Sequence, residues 1–248
     1  VAYYLELTPL CNNRCPDCGN VFTHKANAAL DGVGWRALLG RLATHAQRFK
    51  ITGGEPTLHP AFAAIIDAVE AHSVPFTLFT NGRWEDSVET VARLRAMTTC
   101  EGLLVSLHGP DAAAHEAFSR VPGSFAETRA NIQRAAAAGL DVAVSLVITR
   151  HNWNRVPEVL DLAMRLGARH LVCNRLLGPS LTPLTPSAAQ LRAAMTTIDT
   201  LRDAGHLIRF GNCIPQCFQP SSATGCTAGL TFATIDPWGR MRPCNHMD

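Results

Sequence analysis

The 248-residue chain has no uninterrupted apolar run approaching the roughly 18 residues of a membrane-spanning helix, and its opening residues show no secretory pattern. A soluble, cytoplasmic chain without a membrane partner is the expectation. A charge excess is also missing. The 22 Lys and Arg against 20 Asp and Glu leave a formal net charge of +2, scattered without a basic run or aromatic-basic interleaving. A nucleic-acid surface is therefore not expected. An initiating methionine is lacking at Val1, and the chain stops abruptly at Asp248, so further residues are expected at both ends.

Cysteine, by contrast, is plentiful. Nine cysteines, an odd number gathered mostly near the two ends at unequal spacings, suit metal sites in a reducing compartment better than a disulfide framework. Cys11, Cys15 and Cys18 gather three thiols into eight residues just after an apolar run. On a helix they would share one face and could be ordinary buried side chains. Pro9 and Pro16, with the turn formers Asn12, Asn13, Asp17, Gly19 and Asn20, favour a loop wrapped round something. Structural zinc usually takes a fourth protein ligand, whereas a cuboidal iron–sulfur cluster on three thiolates leaves one iron open for chemistry. Cys100 and Cys173 stand singly beside apolar residues and read as packing.

Periodicity predicts strands over 3–7, 49–52, 76–80, 103–107, 142–148 and 171–174, alternating with helices over 35–46, 61–71, 87–97, 124–138 and 155–166, and a last helix over 187–204. Gly139 and Gly167 sit where left-handed helix caps are wanted. Alternation of this kind implies parallel strands with right-handed crossovers, either a six-stranded partial barrel or a doubly wound sheet. In barrel-like folds chemistry gathers after the C-terminal ends of strands, where the cysteine loop, Gly53-Gly54-Glu55-Pro56, Asn81-Gly82, Ser106 and His108 all fall. Alone, Gly53–Pro56 is a turn that lets backbone approach a ligand, and it matches neither a Walker loop nor a dinucleotide fingerprint. Asn81 can equally be a turn residue, and a lone histidine such as His108 is more often structural.

Taken together, Cys-x3-Cys-x2-Cys after the first strand and the later Gly-Gly-Glu-Pro resemble the radical S-adenosylmethionine (SAM) enzymes. One departure is Asp17, where the family usually has an aromatic residue before the last cysteine. The resemblance implies an α/β fold, a partial (β/α)6 TIM-like barrel. It implies a [4Fe–4S] cluster on Cys11, Cys15 and Cys18, with SAM on the open iron and its ammonium on the backbone of Gly53, Gly54, Glu55 and Pro56. By the same resemblance Asn81, Ser106 and Ser145 contact SAM, and Arg120 lies near its carboxylate. A flavodoxin- or ferredoxin-type electron donor is the expected partner. A bulky residue at Gly54 is expected to enter the space of the methionyl group.

Near the far end Cys213, Cys217, Cys226 and Cys244 form a second thiol group. Residues 231–235, the Asp236-Pro237-Trp238-Gly239 turn and 240–242 predict a β-hairpin that brings Cys226 and Cys244 together. The spacing Cys-x12-Gly-x4-Cys resembles the entry to SPASM and twitch extensions, which hold auxiliary iron–sulfur clusters, although the long downstream cysteine series of a complete SPASM domain is absent. Four thiolates also fit zinc. The division expected is a barrel over 1–206 and a small cysteine-rich extension over 207–248. The function that follows is reductive cleavage of SAM and hydrogen abstraction from a substrate, with a ribosomally made peptide or protein first and a small molecule such as a sugar or antibiotic precursor second. A non-catalytic metal-binding or electron-transfer module is the reading from another class.

Overall fold

The structure, a computed structural model, describes residues 1–16, 18–19, 28–177, 182–211, 214–215, 218 and 226–247. Strand and helix alternate along it. The strands are β1 (Ala2–Glu6), β2 (Arg48–Thr52), β3 (Phe76–Thr80), β4 (Cys100–Ser106), β5 (Val142–Ile148), β6 (His170–Arg175), β7 (Ile208–Phe210), β8 (Phe232–Ile235) and β9 (Met241–Arg242). The helices are α1 (Gly32–Leu42), α2 (Phe62–Ala71), α3 (Ser87–Ala96), α4 (Ala112–Ser119), α5 (Ser124–Ala137), α6 (Val156–Arg165) and α7 (Ala188–Asp203). The strands β1–β9 belong to one sheet in the order β7-β6-β5-β4-β3-β2-β1-β8-β9, parallel except for β9, and its two edge strands are not paired with each other.

Burial along the strands separates a barrel-type sheet from a doubly wound one. In β1, β2 and β3, Leu5, Phe49, Ile51, Phe76 and Leu78 are fully buried against the helices, while Tyr4, Lys50, Thr77 and Phe79 between them stay partly exposed. A doubly wound sheet would carry helices on, and bury, both faces. One continuous core that includes Leu, Ile and Val residues with Trp35, Phe49 and Phe76 packs against this buried face of β1–β3.

The six expected strands are β1–β6. Beyond them the structure adds β7 on one edge, the β8–β9 hairpin on the other, and helix α4. Local signals explain the ends of the helices. Asp31, Asp86 and Asp111 cap α1, α3 and α4, and Ser187 and Gln190 form a capping box on α7. Gly139 and Gly167 have φ of +83° and +88° and close α5 and α6, as their positions predict. Among the described residues no helix is long and apolar enough to cross a membrane.

The hairpin turns where expected, with Thr234 opposite Arg242, and β8 then pairs in parallel with β1. Arg242 locks this joint: its guanidinium donates to the buried Glu6 carboxylate and to Met247 O. Burial pushes the Glu6 carboxyl up to about 7, although Arg242 pulls it down. A carboxyl whose folded pKa lies above its unfolded value favours the fold when protonated, so its contribution is lost as pH rises from about 4.5 to about 7. We therefore expect Glu6→Gln to gain thermal stability relative to the parent chain between pH 5 and pH 8. Parallel melting curves with a constant difference across that range would show that Glu6 does not titrate there.

Candidate active site

The cysteine loop leaves β1 at Leu7 and is pinned at once. Leu7 N donates to Thr52 O at 2.9 Å, and the buried Trp35 donates from Nε1 to Leu7 O at 3.2 Å. Further on, Gly54 N donates to Thr8 O and Glu55 N to Leu10 O, each at 2.7 Å, so the turn after β2 lies bonded along the cysteine loop. Contact this close requires glycine. Gly53 has φ +144° and a Cβ there would stand 2.8 Å from Thr8 O; at Gly54 it would stand 2.1 Å from Leu10 O. The side chain expected to invade ligand space at Gly54 would therefore first strike the backbone next to Cys11. Gly54→Val should accordingly lower both SAM affinity and bound iron; full iron content by colorimetric assay would contradict this geometry.

Glu55 plays its part inside the protein. Its fully buried carboxylate accepts from Thr57 N and Oγ1 at 3.3 and 2.8 Å, from Thr80 Oγ1 at 2.9 and 3.0 Å, and from Asn81 N at 2.8 Å. Burial raises its pKa, and these hydrogen bonds pull it back. The carboxylate thus ties Gly53–Pro56 to the end of β3, while the buried Pro56 opens a 3-10 turn. Among the described residues Gly54 C=O accepts no hydrogen bond and is available to a donor such as an ammonium.

Asn81 reaches the thiols directly. Its Nδ2 lies 3.8 Å from Cys11 Sγ and 2.6 Å from Asn12 Oδ1, and its Oδ1 accepts from Arg83 N at 2.7 Å. Arg83, which the sequence reading passed over, donates from Nη1 to Asn12 O at 2.7 Å and to Asn13 Oδ1 at 3.1 Å. Glu127 holds the other side of that guanidinium at 2.9 Å. A polar residue straight after Asn-Gly at a strand end was the available signal.

Ser106, at the end of β4, is the register partner of Ser145 in the middle of β5, and Asn174 Nδ2 donates to Ser145 Oγ at 3.0 Å. Asn174, a polar residue ending the apolar run of β6, was likewise overlooked. Arg120 is exposed, in the left-handed region at φ +55°, just after Ser119, whose carbonyl accepts from Arg14 N at 2.8 Å. It thus borders the cysteine loop. His108 has the structural role: its ring packs on Phe118 at 4.1 Å, its Nδ1 accepts from Val147 N at 3.4 Å, and burial lowers its pKa to about 3.

The three thiols share one loop, although among the described residues no three His, Cys, Asp or Glu side chains are gathered closely enough to hold a metal ion. Cys11 is pushed up chiefly by burial and then by the Glu55 and Cys18 charges; Cys15 is pushed up to about 12 by burial, Cys18 and Cys11. Raised in this way they are protonated thiols near neutral pH, and as thiolates an all-sulfur set suits a soft metal or an iron–sulfur cluster. Of the second group, Cys213 and Cys217 lie outside the described residues. Cys226 is exposed and Cys244 partly buried, and the turn at Gly229 comes close to Pro243. His246 Nδ1 pairs with Gly19 O at 2.8 Å, which sets the segment after Cys244 against the residue after Cys18.

Residues 5–163 match the model of the Radical SAM superfamily. The chain belongs to that superfamily. Among curated proteins, this radical SAM chain is 31% identical to the mycofactocin maturase MftC of Mycobacterium ulcerans over 96% of its length, covering 66% of that protein. It is 28% identical to the PqqA peptide cyclase of Methylocella silvestris, covering 99% of the chain and 68% of the relative. The fold of Streptococcus suis SuiB bound to its precursor peptide SuiA superposes with a TM-score of 0.83 at 17% identity, over 98% of this chain and 59% of that one. AnSMEcpe with bound AdoMet gives 0.76 at 15% identity, over 99% and 74%. The radical SAM chain thus spans about two thirds or less of several relatives that it matches.

Proposed function

We propose that this chain is the catalytic part of a peptide-modifying radical SAM enzyme. Carrying the reading is the direct bonding of the cysteine loop to the Gly53–Pro56 turn through Thr8, Leu10, Gly54 and Glu55. In this reading Cys11, Cys15 and Cys18 hold a [4Fe–4S] cluster. When bound, the cluster supplies the electron, received from a flavodoxin- or ferredoxin-type donor, that cleaves SAM to methionine and a 5′-deoxyadenosyl radical.

The chain's own residues position and shield. Asn81 and Arg83 fix the loop beside Cys11, Gly54 C=O receives the SAM ammonium, and Ser106, Ser145 and Arg120 border the remainder of SAM. Leu104 and Phe79 wall the inner face and exclude water from the reacting bond. A peptide substrate is favoured because the curated relatives are named for peptide or maturation chemistry. Anaerobic reconstitution followed by dithionite and SAM tests the reading: 5′-deoxyadenosine is expected, and its absence would leave a non-catalytic metal module.

Residues 207–248 are read as an extension of the barrel over 1–206, holding an auxiliary cluster with Cys213, Cys217, Cys226 and Cys244. About eight irons per chain are expected for two cubanes. About four irons with one zinc would make the second site structural.

A further inference from the structure

Lys50 stands on the inner wall of the barrel, level with Tyr4 on β1 and Thr77 on β3. Its Nζ donates to Tyr4 Oη at 2.7 Å and lies 4.5 Å from the Tyr4 ring centroid and 5.9 Å from that of Phe79. Phe79 meets Tyr4 edge-on at 5.8 Å, and Phe232 meets it at 5.2 Å from the other side. The cation is therefore framed by two aromatic rings, with Phe232 backing one of them, and among the described residues it makes no ion pair. The Arg48 ion pair with Glu101 and the Arg93 ion pair with Asp67 show how readily this chain supplies carboxylates to its other cations.

The donor chemistry of this pair is incomplete. Tyr4 accepts from Lys50, so its own hydroxyl proton is left to donate, and the ammonium keeps further protons. Two such donors side by side in a partly desolvated, aromatic setting match a carboxylate, which only accepts. The wall stays open along the strands: Ala2, Tyr4, Lys50, Thr52, Thr77 and Phe79 are all partly exposed. A chain can therefore run past Lys50 instead of ending there.

We propose that Lys50 and Tyr4 form a carboxylate subsite on the barrel wall that receives an acidic side chain within the peptide substrate. This rests on the peptide-modifying reading and adds the charge of the substrate. Charge complementarity names the occupant, and the aromatic frame favours an apolar neighbour for the acidic residue.

Lys50 and Lys25 are the only lysines, so lysine labelled with carbon-13 at Cε gives two side-chain signals, and Lys50→Arg identifies one of them by its loss. The probes are the blocked tripeptide acetyl-Phe-Glu-Ala-amide, its Gln counterpart, and the Gln peptide with a free C-terminus. Titrated into the reconstituted protein, the Glu peptide should shift the Lys50 signal saturably, and the Gln amide should bind roughly ten- to a hundredfold more weakly. Calorimetry should show the same loss with Lys50→Met and partial recovery with Lys50→Arg. Equal binding of the Glu and Gln amides, a Lys50 shift caused by the free C-terminus alone, or no Lys50 shift would each overturn the proposal. If Lys50→Met does not fold, Tyr4→Phe and the Glu-to-Gln ratio on the parent chain still decide it. No SAM cleavage is measured, so a failure to form 5′-deoxyadenosine would count against the proposed function and not against this subsite.

Discussion

Replacing Cys11, Cys15 or Cys18 by alanine is expected to remove 5′-deoxyadenosine formation to below detection and to lower bound iron by about four per chain, one cubane's worth. The fold should survive. Asn81 and Arg83 grip the loop through Asn12 and Asn13, Gly54 and Glu55 grip it through Thr8 and Leu10, and none of these bonds uses a thiol as its main partner. Circular dichroism should therefore match the parent chain, and any iron at the second thiol group should remain. A triple alanine variant that still made 5′-deoxyadenosine would remove these thiols from the active site.

Glu55→Ala should have the largest effect on stability. It strips acceptors from Thr57 N, Thr80 Oγ1 and Asn81 N at once, in a place without exposure to solvent. A buried donor left unsatisfied costs about 1–3 kcal/mol, so the loss should be at least 3 kcal/mol. At about 2–4 °C per kcal/mol for a chain of this size, the melting temperature should fall by roughly 6–12 °C or more. SAM affinity should fall with it, because the Gly53–Pro56 turn loses its tie to β3. Glu55→Gln keeps one acceptor oxygen and should show a smaller loss. A melting temperature unchanged in Glu55→Ala would mean that this network is not what holds the turn.

Which features were legible follows from how local their causes are. Gly139 and Gly167 end helices through bonds made within a few residues, so sequence alone placed them. The alternation Leu5, Phe49, Ile51 against Tyr4 and Lys50 is also a local pattern, but the choice between barrel and doubly wound sheet depended on where the helices lie. α4 was missed because half of its eight residues are alanine and mark no apolar stripe behind the Asp111 cap, and β7 because three residues carry no period. Thr80, Arg83 and Asn174 act on partners 25 to 71 residues away, a distance at which no spacing rule operates. The roles expected for Gly53, Gly54 and Asn81 came from resemblance, and the structure adds the contacts with Thr8, Leu10 and Cys11. For Glu55 it adds an internal role that the motif alone does not reveal.

Pairing of β1 with β8 has a consequence for how the molecule is made. Ala2 lies beside Phe232 in the sheet, yet the two are separated by nearly the whole chain. At a synthesis rate of about 5–20 residues per second, β1 leaves the ribosome roughly 10–45 s before its neighbour exists. Throughout that interval Glu6 has no Arg242 and the outer edge of β1 is bare, while the first three thiols have already emerged. Contacts of such long sequence separation also slow folding, because the chain entropy of closing the loop is lost before they form. This stretch of the nascent chain is thus an open strand edge followed by unshielded thiols, the stage at which a holding chaperone has the most to protect.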